Sequence, residues 1–247
     1  FHFFKKGLPL FSLLSLALCL WSCDPISSKP SELIDWIPQN SSWVIQINDG
    51  NTLTSELTNN EVFKEIKLLN KGLTADISGL ISGTPDVESL LCVTKVGKNP
   101  GALTHIYKAS LDSSLMNGPS IEYSKVQINI EKRATKVLYS TNISGYTLRS
   151  TSQLLIENCI RTSQQNSTSN TTKLFKSIYA TLDTGAPINI LVQPKVEELI
   201  ETMIGQTPLM PKVSHDWNAY DLSFEESGFS LDGLVAIQDS LGDPLGI

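Results

Sequence analysis

Ser89-Leu90-Leu91-Cys92-Val93-Thr94-Lys95-Val96 and Ala102-Leu103-Thr104-His105-Ile106-Tyr107 are two runs of strand-forming residues. Gly97-Lys98-Asn99-Pro100-Gly101, a cluster of turn formers, lies between them. The pattern predicts a β-hairpin with strands over 88–96 and 102–109 and a five-residue loop. A second hairpin is predicted where 136–141 and 146–150 flank Asn142-Ile143-Ser144-Gly145. A third lies near the end. Tyr220, Leu222 and Phe224 alternate, Glu226-Ser227-Gly228 turns the chain, and Phe229, Leu231, Val235 and Ile237 follow. Antiparallel pairing through short turns is therefore the dominant local theme.

Between the hairpins the period changes. Val126, Ile128 and Ile130 alternate with Gln127, Asn129 and Glu131, a half-buried strand. Short apolar strands are predicted at 43–47 and 188–192. Helical spacing predicts a capped turn over 32–36 and helices over 52–58 and 61–70. The second of these carries Val62, Phe63, Ile66 and Leu69 on one face. Thr151 or Ser152 caps a helix reaching about residue 161. Leu174, Phe175, Ile178, Tyr179 and Leu182 mark another, and Val196, Leu199, Ile200, Met203 and Ile204 a last one, ended by Gly205. Residues 73–86, with Gly79, Gly83 and Pro85, read as irregular. Residues 163–172 are all Ser, Thr, Gln or Asn and read as a surface loop or a linker. The fold class expected is α+β: an antiparallel, hairpin-rich sheet with amphipathic helices packed on one face. Residues 31–247 form this domain. Its two halves, 31–150 and 173–247, each contain a strand, a sharp break and an amphipathic helix, an echo of duplication or a coincidence of common units.

The chain has 247 residues and a net charge of −6. Its start is of a different character. Lys5 and Lys6 precede an apolar run over 8–20, and Leu20-Trp21-Ser22-Cys23-Asp24 follows. A spanning helix needs roughly 20 apolar residues, so the shorter run fits a secretory leader. Leu20 three positions before Cys23, with small Ser22 between, resembles the lipobox of bacterial lipoproteins. Trp21 departs from that pattern, whose residue there is usually small. Cys19 is the competing acceptor, but Leu18 is large for the position before cleavage. The resemblance implies removal of 1–22, lipidation of Cys23, a tether over 23–30 and anchorage to an envelope membrane, the outer membrane being expected. Each buried acyl methylene contributes about 0.8 kcal/mol, so two or three chains hold firmly.

Without 1–22 the chain carries 17 basic and 25 acidic residues, a net −8. Such a balance argues against a nucleic-acid partner. It also argues against charge-driven adhesion to anionic lipid. Cys92 and Cys159 each sit in an apolar run. They form either a disulfide, which an oxidising compartment permits, or two buried thiols.

Reactive chemistry is thinly supplied. The histidines are His2, His105 and His215. His2 leaves with the leader, and His105 alternates with Leu103 and Tyr107 as an ordinary strand residue. His215-Asp216-Trp217 pairs an acid with an imidazole, but sequence neighbours seldom face each other and no Gly-x-Ser-x-Gly elbow is present. There is no phosphate loop, no dinucleotide fingerprint and no His-Glu-x-x-His. Asp239 and Asp243 are too few for calcium. Glu225-Glu226 falls at a hairpin tip. Trp36, Trp43 and Trp217 suit packing better than a sugar-binding platform. No catalytic residue, cofactor or metal is expected. A dispersed carboxylate pair of the glycosidase type is the alternative left open.

Ile37-Pro38-Gln39-Asn40, Val44-Ile45-Gln46-Ile47-Asn48 and Asn59-Asn60-Glu61-Val62-Phe63 resemble the N-terminal part of uncharacterised lipoproteins of Bacteroidota, of the flavobacterial type. So do Asp216-Trp217, Asp221-Leu222, Gly228-Phe229 and Leu231-Asp232-Gly233. The resemblance implies a longer protein with a β-rich region beyond residue 247. It brings no catalytic residue. The function expected is a membrane-anchored envelope module that binds an envelope protein or glycan, with an envelope hydrolase or a structural spacer as rivals.

Overall fold

The computed structural model of the chain describes residues 32–61, 64, 71–81, 84, 86–110, 118–133, 136–164, 173–193, 217–225 and 228–235. Cys23 with its leader and tether lies outside the described residues. So do most of the helix expected over 61–70, the helix expected over 194–204, residues 165–172, and His215, Asp216, Glu226, Asp239 and Asp243.

Among the described residues ten strands build one antiparallel sheet. They are β1 Ser41–Ile47, β2 Ser89–Val96, β3 Asn99–Tyr107, β4 Ser120–Tyr123 and β5 Val126–Lys132. Then follow β6 Val137–Ile143, β7 Tyr146–Ser150, β8 Ile188–Val192, β9 Asn218–Glu225 and β10 Gly228–Val235. Their spatial order is β10-β9-β8-β1-β2-β3-β7-β6-β5-β4. The α+β class and the hairpin-rich antiparallel sheet are as the sequence predicts. Both halves of the chain enter the same sheet, joined where β1 pairs with β8.

Four helices are described: α1 Gly50–Asn59, α2 Lys71–Ile81, α3 Gln153–Gln164 and α4 Lys173–Tyr179. They pack on the sheet, as their amphipathic patterns predict, but they take both of its faces rather than one. The reason lies in the central strands. Leu90, Leu91, Cys92 and Val93 are consecutive and all buried, so each face of β2 needs cover. On the first face Val44, Leu90, Cys92, Ile106, Leu148 and Leu191 meet Ile156 and Ile160 of α3, Phe175 and Ile178 of α4, and the 3-10 turn Leu33–Trp36. On the second face Ile47, Leu91, Val93, Leu103 and Ile188 meet Leu53 of α1 and Leu80 of α2, with Ile77 and Ile81 beside it. A fully buried aliphatic side chain of this kind contributes about 1.5–3 kcal/mol.

Three local readings change. The five-residue loop after β2 is a two-residue turn, because Gly97 takes φ +57° and Val96 already pairs with Asn99. Residues 71–81, expected to be mostly irregular, form α2. Ile77, Leu80 and Ile81 keep helical spacing toward the second face, and that burial outweighs the poor helix propensity of Gly72 and Gly79. Gly79 also allows a close approach, since a Cβ there would run into the Arg133 guanidinium. The strand β4 lacks a Gly or Asn turn signal, yet Ser124 and Lys125 turn back into β5 with φ +50° and +65°.

The turn Ser144-Gly145 joins β6 to β7 with φ +53° and +82°, the positive pair that suits a tight hairpin. Replacing Gly145 with Val forces a β-branched side chain into that region. The expected cost is about 1–2 kcal/mol, read as a lowered urea midpoint with an unchanged slope. An unaltered midpoint would refute the requirement for glycine.

Candidate functional site

Two rows of polar side chains cross the sheet in register, on opposite faces and toward opposite ends. The first runs Gln46, Asn189, Asp221 and Asp232 across β1, β8, β9 and β10 on the first face. The second runs His105, Arg149, Ser140 and Asn129 across β3, β7, β6 and β5 on the second face. Polar residues aligned this way in a buried sheet must satisfy one another or a covering element.

The first row ends in an open cleft of about 240 Å³ lined by Thr181, Leu182, Ala219, Asp221, Asp232 and Gly233. Its floor is fixed. Asn189 is fully buried and donates from Nδ2 to Asp221 Oδ1 at 2.6 Å and to the Asp183 carbonyl at 2.9 Å. Asn48 Nδ2 donates to Asn189 Oδ1 at 2.6 Å and to the Ala186 carbonyl at 2.8 Å. These bonds tie the 183–187 turn to the ends of β1 and β8. Asp232 stands directly opposite Asp221 on the outermost described strand and is exposed. Further in, Gln46 Nε2 and Tyr179 Oη both donate to Glu88 Oε1, at 2.8 and 3.1 Å. Burial, followed by the nearby Glu88 charge, pushes the Tyr179 phenol up, so Tyr179 stays a neutral donor.

The second row lies beneath the C-terminal turn of α2. Arg149, 3% exposed, donates from Nη1 to the Leu80 carbonyl at 2.6 Å and from Nη2 to the Gly79 carbonyl at 3.4 Å. The same guanidinium lies 3.5 Å from Glu131 Oε2. His105 Nδ1 contacts the Leu80 carbonyl at 3.3 Å, and the buried Nε2 has no hydrogen-bond partner among the described residues. Burial, then the charge of Arg149, lowers the His105 pKa to about 3. The imidazole is therefore neutral at physiological pH. This cluster satisfies helix-end carbonyls.

The residues singled out from sequence fall apart in space. His105 is fully enclosed, and Glu225 ends β9. Trp36 packs against Tyr146 at 5.5 Å and Trp217 edge-on to Phe175 at 4.7 Å, both in the first-face core. Trp43 packs on the second face, so the three tryptophans share no platform. Cys92 and Cys159 are free buried thiols in the first-face core. Burial pushes both thiols up, Cys159 to about 12. Among the described residues no group of three or more His, Cys, Asp or Glu side chains is gathered to hold a metal. No described helix is long and apolar enough to cross a membrane. Asn189, Asp221 and Arg149 were not among the candidate site residues of the sequence, because their significance depends on cross-strand register.

No protein-family model and no curated protein sequence matches the chain. Solved structures of TP0453 are similar in outline. Crystal form IV aligns with TM-score 0.46 and 8% identity over 81% of this chain and 77% of that one. Form I gives 0.46 and 8% over 79% and 74%, and form III 0.45 and 7% over 79% and 75%. Values this low transfer neither family nor activity.

Proposed function

We propose that the chain is a lipid-anchored module of a bacterial cell envelope, held at Cys23, which binds a protein or glycan partner rather than transforming one. The leader and its lipobox-like end support the anchorage. The observation that carries the binding role is the exposed apolar surface at one end of the sheet, where Phe229 is 39% and Leu231 48% exposed on β10. Isolated apolar side chains are common on surfaces. These two neighbour Phe224 and Leu222 across the β9–β10 ladder and so continue the second-face core into solvent.

The facing carboxylates of Asp221 and Asp232 are what favour the rival hydrolase. Paired carboxylates do glycosidic chemistry when one is kept protonated by an apolar pocket. Here Asp232 is exposed on an outer strand and Asp221 is held by the Asn189 amide and the Asp183 amide nitrogen. The surroundings are polar and open, which supports binding over general acid catalysis.

The anchorage is tested by expressing the full chain and its Cys23→Ala variant with labelled palmitate and separating membranes from soluble fractions. The native chain is expected to take up label and sediment with membranes. The variant is expected to lose both properties. A Cys23→Ala chain that stays membrane-bound would reject the lipoprotein reading.

A further inference from the structure

His105 and Arg149 stand directly opposite each other on β3 and β7. Both reach the same carbonyl of α2, that of Leu80, the guanidinium at 2.6 Å and the imidazole Nδ1 at 3.3 Å. Both side chains are buried. On its other side His105 is opposed by Leu91 of β2, which carries no charge, and the Tyr107 ring lies 5.1 Å away. The charged groups around the imidazole are Arg149 on β7, Glu131 on β5 at 3.5 Å from that guanidinium, Arg133 beside Gly79, and Asp76 of α2, which pairs with Lys136. Among the described residues no carboxylate is bonded to the imidazole. A proton on His105 would therefore set two buried cations side by side across the strands, which destabilises such a pair.

The paired strands cannot relieve this without losing their ladder, but the covering helix can. At eleven residues α2 is shorter than a helix that holds by itself in water. Gly72 and Gly79 each weaken it by about 1 kcal/mol relative to alanine. Its described apolar grip is Ile77, Leu80 and Ile81. Its last carbonyls are held by the two side chains that a proton would set against each other.

We propose that α2 is an acid-released cover: a proton taken up by His105 detaches α2 from the second face while the described sheet stays paired. Lifting α2 lets water reach the imidazole and uncovers Leu91 and Leu103 of the second-face core. The closed form excludes the proton, and the open form admits it below the ordinary histidine value of about 6.5. Opening is therefore favoured as the pH falls through that value, by about tenfold between pH 7.5 and pH 5.5. That window lies above the ordinary range of carboxylates, so it isolates the imidazole.

Hydrogen exchange on the full chain in detergent tests this, with rates corrected for the intrinsic effect of pH. Amides of 71–81 are expected to exchange ahead of those of 104–106 and 147–150. Their opening is expected to be insensitive to low urea, because a local opening exposes little surface, and to rise about tenfold from pH 7.5 to pH 5.5. In His105→Gln the opening is expected to stay level over that range. Amides of 71–81 that exchange only together with the strands, and with the same urea dependence, would show that the proton acts through global unfolding and would overturn the proposal. That comparison needs only the native chain, so it stands even where the variant fails to fold. An equal rise in His105→Gln, or no rise in the native chain, would overturn it as well.

Discussion

Replacing Arg149 with methionine is expected to destabilise the fold by about 2–4 kcal/mol. The side chain is buried, and its guanidinium donates to two of the last carbonyls of α2, those of Leu80 and Gly79. Methionine fills similar volume but donates nothing, so those carbonyls lose their partner in a region closed to water. His105 Nδ1 can serve only one of them. Glu131 lies partly in solvent, with its side chain 34% exposed, and can be rehydrated, which is why the cost stays below that of stranding a fully buried charge. Lysine is expected to rescue little, because one ammonium cannot span two carbonyls as a planar fork does. Urea unfolding measures the loss, and hydrogen exchange should localise it to α2. An Arg149→Met chain with the native midpoint would show that α2 is held by Ile77, Leu80 and Ile81 alone.

Acidification should weaken the fold through His105. In the unfolded chain the imidazole takes a proton below about pH 6.5. In the folded chain burial, aided by Arg149, delays this until about pH 3. Between those values the unfolded state binds more protons, so stability falls as the pH drops from 6.5 toward 3 and is fully present above 6.5. The slope is about 1.4 kcal/mol per pH unit, which at pH 4.5 amounts to a loss of about 3 kcal/mol. Asp49 adds to the same trend only at lower pH. Its carboxyl is held down by the Thr52 backbone N–H and hydroxyl, a contribution lost as the pH falls through its folded pKa. His105→Gln removes the titrating group. Its unfolding free energy is expected to vary less between pH 6.5 and 4.5 than that of the native chain, whatever its absolute stability. Parallel pH dependences would eliminate His105 as the source.

The hairpins were legible because their signals are local. Ser144-Gly145 and the alternation Tyr220, Leu222, Phe224 lie within a few residues of what they specify. The helix α2 was missed because Gly79, Gly83 and Pro85 read as irregular. What overrides them is burial of Leu80 against strands distant in sequence. The polar rows were not legible at all. Asn189 and Asp221 are 32 residues apart, and Arg149 and Gly79 70 apart. A one-residue change of register on any strand would send these side chains to the other face.

By itself the sequence determined the class of architecture, the acidic and cysteine-poor character of the body, and the expectation of a lipid anchor at Cys23. Each depends on composition or on patterns within one turn or strand. Only the tertiary structure decided that one sheet takes all ten described strands, that helices cover both faces, and that Arg149 and His105 are sealed under α2. It alone showed that Phe229 and Leu231 are partly exposed on β10. The physical reason is that strand order, register and burial arise from contacts between residues far apart in the chain, where no local pattern records which partner will be met.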